Sequence, residues 1–417
     1  SVIGYLLMPD PIPILQVYSR SRKWYWLKFY FMKFVIGHRQ KSSQKEQKKE
    51  DNLMDTQFGG AGHRSIGDLE SKHTFPANHD RPAEAVFFDA SNKDGYYFTL
   101  GTSQRKNNII NLFFILRVPN KGTYIVPEML TNSNVESVDS KSEWITKSGF
   151  RVKCVEPMKK WTISYNGNLT KVDKVDLTQK VFEKVGPESD DVLSNVEMIP
   201  AEMEFVWTNF GEHFDFDKEV SPTSIAHSLA IESWSRELFD KLKASHQSHY
   251  EQFGKLSGTV TINGEKIDGL EMVSMRDHTI TPYRNWSDLR RYIMMIYHLD
   301  DGTCIHTSLI SMPGVVFSHL EFGYVITPDK KKYAVDRIHL NLSDVGEIKG
   351  QFPQYFNYTF DAGPLKYDVK VNIIETVSFK IGLDLATYVN ENMALFEVND
   401  GLKGRGFIEA EYRIEPY

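Results

Sequence analysis

Apolar and polar positions divide the chain into unlike stretches. Residues 24–36 are almost wholly apolar and aromatic, interrupted only by Lys28 and Lys33. The run falls short of the ~20 residues that a spanning helix needs. Arg20, Arg22, Lys23, Arg39 and Lys41 surround it, and its Trp and Tyr suit a headgroup zone. The pattern predicts an amphipathic helix lying on an anionic membrane surface; the alternative is a helix packed on the protein. Residues 1–39 are thus read as a membrane-associating segment. Residues 40–51 contain no apolar side chain and cannot bury enough surface to order themselves, so residues 40–81 are read as a polar linker.

From Ala85 onward the apolar residues come in short β-rich runs separated by turn residues. Residues 86–88 and 96–100 flank Asn92-Lys93-Asp94-Gly95, while 111–118 and 123–126 flank Pro119-Asn120-Lys121-Gly122, and both read as hairpins. Further strands are predicted at 150–155, 161–165 and 201–207. Ser221-Pro222 then offers an N-cap followed by proline at the first helical position, and Ile231, Trp234, Leu238 and Leu242 recur at helical spacing. One central amphipathic helix is expected there. Strands resume at 258–262 before Asn263-Gly264, and at 292–299 and 303–310 around Asp300-Asp301-Gly302. The last ones are at 322–326, 367–374, 395–398 and 407–413. The expected fold class is all-β. Two antiparallel barrels or sandwiches, at 82–217 and 255–417, are joined through a helix and connector at 218–254.

Length agrees with two domains, since 417 residues exceed what one core usually serves. A composition of 41% hydrophobic, 13% aromatic and 25% charged residues excludes a disordered or polytopic membrane chain. The net charge of −6 argues against a nucleic-acid partner. Cys154 and Cys304 are too few for a disulfide scaffold. Phosphate-loop, zinc-protease, nucleophile-elbow and dinucleotide signatures are missing from the sequence. Gly59-Gly60-Ala61-Gly62-His63 superficially matches a phosphoryl-carrying histidine motif, but no apolar helix follows it. His246 and His249, three apart, could share a helix face with Glu251 nearby. Zinc wants three or four ligands, so neither metal nor cofactor is expected.

The most informative stretch is residues 274–286, where Arg276-Asp277-His278 is followed by Tyr283, Arg284 and Trp286. Together with His249 and Tyr250 upstream, and with residues 156–167, 230–235 and 404–413, this sequence resembles the double-lipocalin superfamily of carotenoid hydratases and tocopherol cyclase-like proteins. The similarity runs from about Pro82 to the end. Within that superfamily it resembles the amino-terminal module of arthropod phosphoenolpyruvate-synthase-like proteins.

The resemblance implies two lipocalin-like barrels and a hydrophobic small molecule, a lipid or isoprenoid, as ligand. Barrels of eight strands can hold one small ligand inside. In the carotenoid hydratases, protonation of an alkene carbon needs a carboxylic acid, and Asp277 matches that position. Arg276 and His278 would orient it, with Tyr283, Arg284, Trp286, His249 and Tyr250 binding ligand. On a strand, Arg276 and His278 share one face and Asp277 takes the other. The structural alternative for Asp277 is an ion pair with Arg284 or Arg290. Relatives carry an aromatic where this chain has Thr279-Ile280-Thr281, which removes a π-face for a cationic intermediate and weighs against catalysis. The expected function is therefore non-catalytic binding of a lipid or isoprenoid by a membrane-associated protein at the cytoplasmic face. Isoprenoid hydration or cyclisation is the enzymatic alternative. An accessory module of a phosphotransferase whose catalytic domains lie elsewhere is a third.

Overall fold

A computed structural model of the chain describes residues 9–47, 66–172, 196–244, 247–347, 352–382, 384–399 and 401–414. The Gly59–His63 stretch and His246 lie outside these described residues. Helices α1 (Tyr25–Gln47) and α2 (Ile66–Leu69) precede the sheets. The first group of strands is β1 (Ala83–Ser91), β2 (Tyr97–Arg105), β3 (Ile109–Val118), β4 (Gly122–Ile125), β5 (Asn134–Glu136), β6 (Glu143–Ile145), β7 (Phe150–Glu156), β8 (Lys160–Val172), β9 (Ile199–Asn209) and β10 (Phe214–Asp215). Helices α3 (Phe216–Glu219), α4 (Pro222–Ala230) and α5 (Arg236–Ala244) intervene before β11 (Ser248–Ile262) and β12 (Glu265–Thr281).

The path β11-β12-β1-β2-β3-β4-β8 is closed by β9, which pairs with both β8 and β11, so the first sheet forms an antiparallel ring. The remaining strands are β13 (Arg291–Leu299), β14 (Cys304–Ser311), β15 (Leu320–Ile326), β16 (Lys332–His339), β17 (Tyr355–Ala362), β18 (Leu365–Ile381), β19 (Thr387–Val398) and β20 (Leu402–Arg413). They close into a second antiparallel barrel in sequence order. The fold is all-β with two antiparallel barrels, as the turn spacing predicts, and they are lipocalin-like, as the resemblance implies.

The turns that mark the hairpins do so for the expected reason. Asn263 and Gly264 both take positive φ between β11 and β12, the geometry that a two-residue hairpin turn demands. Three elements depart from expectation. Residues 248–281 follow the helices yet complete the first barrel, because β12 pairs with β1 over the whole length of β1. The central helix is two helices. Ser221 caps α4 and Pro222 opens it, but α4 ends at Ala230, where Trp234 Nε1 donates to the Leu229 carbonyl at 2.8 Å. Glu232 then accepts from the Ser318 backbone N–H and hydroxyl at 2.9 and 2.6 Å, holding the chain out of the helix. Finally, residues 40–47 continue α1 instead of beginning a linker.

In the strands at the seam, alternation sorts the side chains between the barrel's own interior and the face turned to the other barrel, while the outward residues of strands such as β17 meet solvent. In β13, Ile293, Met295, Tyr297 and Leu299 join the core of the second barrel, whereas Met294 and Ile296 join the cluster that includes the first. Both interiors are occupied. Trp144, Trp161, Trp207 and Arg276 are fully buried in the first, and in the second Tyr297 stacks on Phe396 at 4.0 Å while its hydroxyl lies 2.9 Å from that of Tyr358. Both cysteines are free.

Candidate functional site

The first barrel explains two residues of the Arg-Asp-His motif. Arg276 and His278 point into that barrel from β12 and are inaccessible to solvent. Arg276 donates to Gln252 Oε1 and Glu70 Oε2, each at 2.9 Å, and its guanidinium lies over the rings of Trp207 and Trp161 at 4.8 and 5.1 Å. Glu70 also accepts from Trp161 Nε1 at 2.9 Å and from the Met158 backbone N–H at 2.8 Å. Burial works against the Glu70 charge, but Arg276, the Tyr250 hydroxyl and the Met158 N–H hold its carboxyl below the usual range. His278 bridges Glu84 at 3.1 Å and the Tyr250 hydroxyl at 2.9 Å. Tyr250 donates to Glu70 and so belongs to this internal network. The three residues therefore tie the barrel to the Glu70 segment, which the sequence reads as linker, and do not reach Asp277.

Asp277 faces the other way, toward the second barrel, onto a cavity of about 460 Å³ between the two barrels. A binding pocket of that size lies within the usual range of roughly 300–1,000 Å³. Its walls come from strands of both barrels, so the space lies between them, whereas the sequence pattern places such a space inside each barrel. Phe87, Phe113, Phe322, Phe379, Met294 and Ile310 are among the apolar residues of its walls. Of the residues expected to bind ligand, Tyr283, Arg284, Trp286 and His249 line it, and Tyr250 does not. Ile280 alternates onto the face of Arg276 and His278, so the aromatic missing there takes no ring from the cavity. Phe87 sits directly opposite Asp277 in the β1–β12 register, and its ring centroid is 6.0 Å from that of Phe113.

The polar end of the cavity is a chain of hydrogen bonds. His249 lies 2.7 Å from the Thr279 hydroxyl through Nδ1 and 3.1 Å from Glu251 through Nε2. Glu251 reaches His306 Nδ1 on the second barrel at 2.6 Å, and His306 in turn contacts Ser308. Burial opposes the Glu251 charge, but the two imidazoles outweigh it and hold the carboxyl down at about 2. Burial likewise opposes a charge on His249, and Glu251 and Asp277 raise its pKa in spite of it. Asp277 has no carboxyl hydrogen bond among the described residues. Burial pushes it up to about 7, with His249 and Arg284 pulling the other way. Arg284 donates to Gln247 at 2.7 Å and lies over Trp286 at 5.5 Å. Arg290 instead pairs with Glu347 at 2.8 Å.

Three carboxyls complete this end. Glu391 and Glu409 are directly opposed in the β19–β20 register, and Glu409 lies within hydrogen-bonding reach of Glu391 and Glu411. Burial raises all three above the usual carboxylate range, so they hold protons among themselves. Glu409 and Glu411 line the cavity. Sequence reasoning misses Tyr292, Glu409, Glu411 and the phenylalanines. The available signal was Glu409 and Glu411 on one strand face with no basic residue between them.

A family model described as "Family of unknown function (DUF8627)" matches residues 9–407. The chain belongs to that family. No curated protein matches it in sequence. Solved structures similar to it include a candidate AttH protein of Nitrosomonas europaea, 10% identical with a TM-score of 0.49, covering 82% of this chain and 95% of that one. Kievitone hydratase of Nectria haematococca is also 10% identical, with a TM-score of 0.40 over 80% of this chain and 90% of its own. CghA is 9% identical, with a TM-score of 0.41 over 80% and 89%.

Proposed function

We propose that the protein binds an apolar molecule of the lipid or isoprenoid class in the cavity between its barrels. The observation that supports this is the make-up of the cavity: an apolar body walled by phenylalanine and aliphatic side chains, ending in Asp277, His249 and Arg284. Burying an apolar chain there gains about 25 cal/mol per Å². The polar end fixes orientation by pairing with a hydroxyl or carbonyl of the ligand.

A second reading, acid catalysis on an isoprenoid, is favoured by Asp277 itself. With its carboxyl pushed up to about 7, a large share is protonated at neutral pH. That acid can give its proton to an alkene carbon, leaving a cation faced by the Phe87 and Phe113 rings. Water adding to the cation forms the alcohol, and the proton it loses returns to the Asp277 carboxylate.

Native mass spectrometry of the purified chain, with retinol fluorescence as a binding probe, tests the first reading. Failure to retain any lipid and failure to bind retinol overturn it. Incorporation of solvent deuterium into isoprenoids separates the second: label that disappears in Asp277→Asn establishes catalysis, and bound ligand without label establishes binding alone.

A further inference from the structure

Helix α1 has two apolar faces. Tyr25, Phe29, Met32 and Ile36 recur at helical spacing and are buried against Ala226, Leu229 and Ala230 of α4 and against Val316 and Phe317. Trp26, Leu27, Tyr30, Phe31 and Phe34 form a second stripe, and these side chains are 56–72% exposed. Soluble surfaces rarely leave contiguous aromatic stripes uncovered. No described helix is long and apolar enough to cross a membrane.

Charge narrows the choice of what covers the stripe. Between Arg20 and Lys45 the sequence has eight Lys or Arg and no Asp or Glu, although the whole chain is net negative at −6. A symmetric pairing of this helix with a second copy would oppose cation to cation. An anionic bilayer offers both what the rings need and what the cations need. Ile225, Leu242, Met312, Val315, Val316 and Phe317 belong to the cluster beneath the helix and also line the cavity.

We infer that the exposed face of α1 docks on an anionic lipid surface and sets the apolar end of the cavity directly beneath the docked helix, so that the ligand passes between membrane and cavity past α1. This rests on the reading of the cavity as a lipid or isoprenoid site.

The test uses the full chain and Trp26→Ser/Phe34→Ser, both changes on exposed positions. Vesicles of phosphatidylcholine with phosphatidylserine should sediment the native chain, and the variant should bind them about tenfold more weakly or worse. Transfer of retinol from those vesicles should slow in parallel, while retinol added from ethanol binds both proteins equally. Equal sedimentation, or equal transfer rates, overturns the inference. A native chain that self-associates in sedimentation velocity and ignores vesicles overturns it too, in favour of a second copy. If neither protein takes up retinol from ethanol, the reading of the cavity is what fails.

Discussion

The Glu251 carboxylate of β11 stands 2.6 Å from His306 Nδ1 of β14, so a buried hydrogen bond to a carboxylate joins one barrel to the other. Glu251 is fully buried and accepts on its other oxygen from His249. Breaking one partner of such a pair leaves the rest uncompensated. Glu251→Gln should therefore cost about 2–4 kcal/mol in urea unfolding. The sign with pH is fixed by the depressed carboxyl. Its contribution is present above the ordinary value of 4.5 and is lost as pH falls toward about 2. The variant should lack that acid-side loss.

Glu391, Glu409 and Glu411 act in the opposite sense. Their pKa values are raised, so the folded state holds protons that the unfolded chain releases, and stability falls as pH rises from the ordinary carboxyl range. Neither Glu391 oxygen has an ordinary hydrogen-bond donor. Glu391→Gln removes the need to keep that site protonated. It should raise the melting temperature at pH 8, with a stability gain of about 1–2 kcal/mol, and change little at pH 5. A melting series across that range checks it.

Arg276 and Glu70 give a third expectation. The pair is inaccessible to solvent and satisfies two tryptophan rings, Gln252 and Tyr250 around it. Arg276→Met leaves the Glu70 carboxylate buried without its cation and should cost about 3–5 kcal/mol. Adding Glu70→Gln should restore part of that loss, and the double variant should still bind retinol, because neither residue faces the cavity. Urea titration together with retinol fluorescence separates the two effects.

Much of the fold was legible because its signals are local. Asn263-Gly264 and Asp300-Asp301-Gly302 mark hairpins by turn chemistry alone. Alternation also separates Asp277 from Arg276 and His278 before any coordinates are known. Which of those faces is the barrel interior depends on β12 pairing with β1 nearly two hundred residues earlier in the chain, and no local pattern carries that. Glu70 shows the same limit. A lone carboxylate in a polar stretch gives no hint that it plugs a barrel against Arg276. The cavity draws Phe87, Phe113, Phe322 and Phe379 from four strands, each of which reads alone as ordinary core.

Gly101 on β2 offers the most direct check on the cavity. It lines the space, and a methyl group in place of its hydrogen would run into the Phe113 ring. The β2 backbone lies beneath that ring, and its neighbours Phe87 and Phe379, the latter at 5.1 Å, stand beside it in the cavity wall, so the ring can move only away from the sheet. In Gly101→Ala the ring should therefore swing into the cavity and occupy space meant for the ligand. Retinol affinity should fall by about tenfold, with a loss of stability of about 1–3 kcal/mol from the overpacked site. Asp277→Asn leaves the apolar walls intact and should act differently. Burying a neutral carboxyl beside an apolar ligand costs less than burying a charged one, so native affinity should weaken as pH rises through about 7. The Asn variant should lose the Asp277 part of that dependence and keep only what His249 contributes. Retinol titrations at pH 6 and pH 8 on both variants decide whether the space between the barrels is the binding site: unchanged affinity in Gly101→Ala would place the ligand elsewhere.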